Sequence, residues 1–109
     1  MIKSGVDIRG LQPQMAVAYT IACWTYWDHS LPSQCVITSA SDGTHMANSL
    51  HYKGLALDLR TRDMDPVTRM EIVHDLKARL GAQFDVVIES DHLHVEFQPK
   101  DSLKGSEVA

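Results

Sequence analysis

No apolar run in this 109-residue chain approaches the roughly 20 residues that span a bilayer, so no transmembrane helix and no membrane insertion are expected. Clustered Lys and Arg are also missing. Ten basic residues against fourteen acidic ones give a net charge of −4, without the basic footprint that phosphate backbones and anionic membranes select. Nucleic acid is therefore not an expected partner. Cysteine is scarce: only Cys23 and Cys35 occur, with no Cys-x-x-Cys pair, which argues against a structural zinc site built on thiols. The first ten residues lack the apolar stretch of a secretory signal, so synthesis in the cytoplasm is expected. There the two thiols should stay reduced, one buried on a helix and one at a strand start. Internal repeats, low-complexity segments and a His-Glu-x-x-His helix are all absent.

What is present suits a small globular fold. Apolar residues make up 44% and charged residues 22%, enough for one domain over 1–109 with a modest core. Residues 11–29 read as a helix, with Pro13 in the first turn and Met15, Ala18, Tyr19, Ala22 and Tyr26 at helical spacing. Trp24 and Trp27, three apart on that helix, are expected to supply packing area, and His29 to favour the C-terminal dipole. Leu31–Gln34 breaks the helix, and Cys35–Ser39 suits a short strand. Residues 40–50 read as a polar loop. Asp65 is the expected N-cap of a second helix, with Pro66 at its first position, a face of Met70, Val73, Leu76, Lys77 and Leu80, and Gly81 as its stop. His74 reads as a surface residue of that helix. Phe84–Ile88 and His92–Phe97 read as two strands of a hairpin around Glu89-Ser-Asp, and residues 98–109 as a flexible tail. This order of elements predicts an α+β fold with two main helices and a mainly antiparallel sheet.

Two segments carry the chemistry, Ser49-Leu-His51-Tyr-Lys-Gly54-Leu-Ala56-Leu-Asp58 and Asp91-His92-Leu-His94. Alternate side chains of a strand share a face. Leu55, Leu57 and Leu59 then point into the core, while Gly54, Ala56 and Asp58 form a hollowed opposite face that reads as a cleft floor. Leu93, Val95 and Phe97 repeat the apolar face, leaving His92, His94 and Glu96 together on the other, where Glu96 reads as solvated. Imidazole and carboxylate are good Zn²⁺ ligands, and a catalytic site needs three such ligands with one position open. His51 lies seven residues before Asp58, so a straight strand would put the two on opposite faces. Convergence requires a turn or bulge at Gly54.

The pattern Ser49-x-His51-x-x-Gly54-x-Ala56-x-Asp58 followed by His92-x-His94 resembles the zinc D-alanyl-D-alanine carboxypeptidases and phage L-alanyl-D-glutamate endolysins, within the wider Hedgehog and DD-peptidase group. The resemblance covers about residues 36–97. It implies a small antiparallel sheet lining a zinc cleft, with one Zn²⁺ per chain held by His51, Asp58 and His94. Asp91, three positions before the last ligand, would be the general base, and His92 would steady the oxyanion or support the ligands. Ser49 would orient a ligand beside the substrate. Many members carry an Arg upstream of the first ligand, and residues 37–45 hold none, so either His45 or a neighbouring loop residue takes over substrate binding or substrate recognition differs. Asp91 also stands where the family favours the longer Glu, leaving Glu89 as the fallback base.

The expected activity is therefore hydrolysis of a peptide bond in bacterial peptidoglycan by a monomer that reaches the cell wall after release, as an endolysin-like endopeptidase or a D-Ala-D-Ala carboxypeptidase. The alternative is a zinc-binding domain of a phage or host protein that does not catalyse.

Overall fold

A proline in the first turn opens each helix of the computed structural model, which describes residues 1–40 and 53–99. Helix α1 (Pro13–Asp28) buries Met15, Ala18, Ala22, Thr25 and Tyr26 along one stripe. Helix α2 (Pro66–Leu80) is capped by Asp65, whose carboxylate accepts from the Thr68 amide at 2.7 Å, and it ends at Gly81 with φ +84°. Among the described residues, a 3-10 turn (Pro32–Gln34) and strands β1 (Ile37–Ser39) and β2 (Ala56–Arg60) lie between the helices; strands β3 (Phe84–Ile88) and β4 (His92–Phe97) follow α2. The expected hairpin is present with the expected bounds.

The four strands form one antiparallel sheet in the order β1-β2-β4-β3, so the two motif strands are the central pair. Both helices cover one face, where Leu57, Leu59, Leu93, Val95 and Val86 meet Met15, Ala22, Tyr26, Ile72 and Leu76. At about 25 cal/mol per Å² of apolar surface, this shared core is the main force holding the sheet flat against the helices. The Tyr26 hydroxyl reaches across it and donates to the Arg60 carbonyl at 2.8 Å, tying α1 to the end of β2.

Several expectations need correction. Trp24 and Trp27 are 56% and 68% exposed, so they do not pack in the core; the small residues Ala18 and Ala22 mark the buried stripe instead. On α2 the buried residues are Ile72, Val73 and Leu76, whereas Met70 and Lys77 face solvent. His29 does more than meet a helix dipole, because its Nε2 lies 2.7 Å from Asp75 and pins α1 to α2. Arg79 makes a second clamp: it donates to Thr25, pairs with Asp28 and stacks 4.1 Å above the Trp24 ring. The loop expected over 40–50 lies, beyond Ala40, outside the described residues, as does the tail from residue 100 on.

Gly54 makes the turn that the motif requires. It has φ +73°, and a Cβ there would sit 2.0 Å from the Gly10 carbonyl oxygen. The backbone of residues 10–12 packs directly on it, with the Gln12 amide donating to the Gly54 carbonyl at 2.9 Å. Only glycine meets both demands.

Candidate functional site

Strands β2 and β4 pair so that Asp58 lies directly opposite His94, Arg60 opposite His92, and Ala56 opposite Glu96. The leucines and valines of these strands turn to the helices, which leaves the acids and imidazoles on the outer face of the sheet. Directly opposed side chains are the closest neighbours a sheet offers. Asp58 Oδ1 lies 3.0 Å from His94 Nδ1, and the other ring nitrogen of His94 lies 2.6 Å from Glu96 Oε1.

The row continues in the other direction. His92 Nε2 is 3.7 Å from Asp58 Oδ2, and His92 Nδ1 is 2.6 Å from Asp91 Oδ1. Five side chains therefore alternate acid and imidazole, in the order Asp91, His92, Asp58, His94, Glu96. Burial is uneven along the row. Asp58 is only 8% exposed, whereas the Asp91 side chain is 83% exposed at the rim. Ala56 is fully buried, so the outer face is covered there and opens toward His92 and Asp91.

Electrostatics follow from the pairing. The hydrogen bond with Asp58, seconded by Glu96, raises the His94 pKa above the ordinary imidazole value against the opposing effect of burial. Hydrogen bonding from His92 lowers the Asp91 pKa, while the Asp58 charge acts the other way. Asp91 is thus an ionised, exposed carboxylate electrostatically linked to the Asp58 site.

Of the expected residues, the fold brings together Asp58, His94, His92 and Asp91. His51, Ser49 and His45 lie outside the described residues. Glu89 is exposed in the hairpin turn, where its amide donates to the His92 carbonyl at 2.9 Å. Glu96 corrects the expectation of a solvated residue, because its side chain is only 19% exposed and is bonded to His94. The signal for that bond was there, since Glu96 shares a strand face with His94 two positions away. A carboxylate on the far nitrogen of a metal-binding histidine fixes ring orientation and tautomer.

Asp58 and His94 are the two expected ligands that the described residues include. Among the described residues no group of three or more His, Cys, Asp and Glu side chains is arranged to hold a metal. A concavity of about 630 Å³ beside α2, lined by His29, Pro66, Val67, Met70 and His74, holds none of the candidate ligands. A scan against protein families and searches among curated proteins and solved structures return no match to this chain.

Proposed function

We propose that this chain is a zinc-dependent peptidase that hydrolyses peptide bonds in the stem peptides or cross-links of bacterial peptidoglycan. The Asp58–His94 pair carries the reading: two donors 3.0 Å apart on the central strands, flanked by a second imidazole and two further carboxylates. A tetrahedral zinc with bonds of about 2.0–2.1 Å separates its donors by roughly 3.3 Å, so the pair needs to widen by only a few tenths of an ångström. The motif's resemblance to the D-alanyl-D-alanine carboxypeptidases and L-alanyl-D-glutamate endolysins supplies the third donor, His51, and the substrate class.

When bound, zinc polarises the scissile carbonyl and brings the pKa of water down to about 7. The remaining work falls to the chain's own residues. Glu96 keeps a proton on Nε2 of His94 and so leaves the Nδ1 lone pair beside Asp58 as a donor. Asp91, held ionised by His92, is the general base that takes a proton from water and returns it to the leaving amine. His92 Nε2 is beyond hydrogen-bond reach of Asp58 and, when it carries a proton, can donate to the oxyanion forming on the substrate. His45 and Ser49 are assigned to substrate and ligand orientation.

The test is hydrolysis of purified peptidoglycan by the zinc-loaded protein. Activity should vanish with EDTA and return with zinc; activity that survives chelation rules the mechanism out. Released D-alanine identifies a carboxypeptidase, and cleaved stem peptides or cross-links identify an endopeptidase. One observation favours the second reading, a zinc-holding module without catalysis: the Asp91 carboxylate is bonded to His92 and stands at the rim. Stoichiometric zinc with no turnover on any wall fragment supports that reading.

A further inference from the structure

The chain's two cysteines come together in the fold. Cys23 Sγ on α1 lies 2.8 Å from Cys35 Sγ, across a separation of twelve residues that includes the end of the helix and the 3-10 turn. That distance is only about 0.8 Å longer than a covalent S–S bond. We infer that Cys23 and Cys35 close to an intramolecular disulfide in an oxidising medium, and that this cross-link fastens α1 to the segment entering β1.

Independent contacts hold both sulfurs in place. Cys23 rides on a helix anchored by Ala18, Ala22 and Tyr26 in the core. The Cys35 carbonyl accepts from the Tyr19 hydroxyl at 3.1 Å and from the terminal amine of Met1 at 3.3 Å, and its amide donates to the Pro32 carbonyl at 3.2 Å. Closure therefore requires little movement of the backbone. Reactivity is unequal. Cys35 is buried, which pushes its thiol pKa well up, whereas Cys23 is only partly covered.

The sequence of steps follows from that difference. The Cys23 thiolate attacks a small-molecule disulfide such as oxidised glutathione, forming a mixed disulfide and expelling one thiolate. Cys35 then loses its proton to solvent and attacks Cys23 Sγ, breaking the mixed disulfide and expelling the second thiolate. Two protein thiols are oxidised and one small disulfide is reduced to two thiols. Because β1 pairs with β2 at Ser39 and Asp58, the cross-link stiffens the strand beside Asp58. The inference stands apart from the zinc reading: the bond forms whether or not the site binds metal.

The experiment incubates the full chain in oxidised and in reduced glutathione, then measures intact mass, the pattern of linked peptides and the thermal midpoint. The oxidised protein should lose two hydrogen atoms, carry no glutathione, yield a peptide joining Cys23 to Cys35, and melt higher by on the order of 10 °C. Cys35→Ser should lose the shift and accumulate a glutathione adduct on Cys23. Cys23→Ser removes the partly covered thiol and is the second variant should Cys35→Ser not fold; it should lose the shift and take up no adduct. Two free thiols in the oxidised wild type, a lasting wild-type adduct, or a cross-linked dimer would each overturn the inference.

Discussion

Each nitrogen of His94 faces a carboxylate, and that arrangement makes specific demands. If Glu96 positions the ring, Glu96→Gln should weaken zinc binding about 10- to 100-fold while leaving the fold intact. Competition against a chromophoric chelator measures this, and an unchanged affinity would return Glu96 to the solvated role its sequence first suggested. Asp91→Ala should keep zinc and lose about 10²- to 10⁴-fold in hydrolysis. His94→Ala should lose both zinc and activity. Full activity in Asp91→Ala would move the base elsewhere.

The pH dependence has a definite sign. In the metal-free protein Asp58 and Glu96 raise the His94 pKa above its unfolded value, with the His92 imidazole on the far side of Asp58. Such a group contributes stability that is complete below about pH 6.5 and is lost as pH rises through the folded value. Denaturant melts of the metal-free chain should show this loss, and His94→Gln should abolish it. Zinc needs the deprotonated Nδ1, so its apparent affinity should rise over the same pH range.

At the scale of elements, the turn before β2 is the most exacting. Gly54→Ala must accommodate a Cβ 2.0 Å from a backbone oxygen while keeping φ at +73°. A cost of about 2–4 kcal/mol is expected in chemical denaturation, at the upper end of what backbone strain contributes. A loss below about 1 kcal/mol would mean that the N-terminal segment does not press on the turn. The α1–α2 clamp is softer. Arg79→Ala removes a ring contact and a partly exposed ion pair and should cost about 1–2 kcal/mol.

Much of this scale was legible in the sequence for local reasons. Asp65-Pro66, Gly81 and the alternation on either side of Glu89-Ser-Asp are signals that neighbouring residues settle among themselves. The misreadings were tertiary. Trp24 and Trp27 have helical spacing, but spacing gives a face and does not say which face is covered. Val67 and Met70 offered α2 an apolar stripe competing with the one through Ile72 and Leu76. The bonds His29–Asp75 and Arg79–Thr25 join residues 46 and 54 apart, a distance over which no local pattern extends.

For the whole molecule, the candidate site follows from strand order. β2 and β4 are separated in sequence by a helix and a strand, yet they pair at the centre of the sheet with Asp58 and His94 in register. The sequence already contained the period-2 alternation that puts both side chains on the outer face. It did not contain the register, which depends on how the shared core seats Leu57 and Leu59 against Leu93 and Val95. A ligand bound only by the native state stabilises it by mass action. Zinc should therefore raise the melting midpoint in a concentration-dependent way, and EDTA should reverse the rise.

The central claim is most directly tested by a crystal structure of the zinc-loaded chain, with the ion located by its anomalous signal. The account predicts a peak about 2.0–2.2 Å from both Asp58 Oδ1 and His94 Nδ1, with His51 as third protein ligand and water completing the shell. A peak at the His29–Asp75 cleft instead, or a fourth protein donor in place of the water, would contradict it.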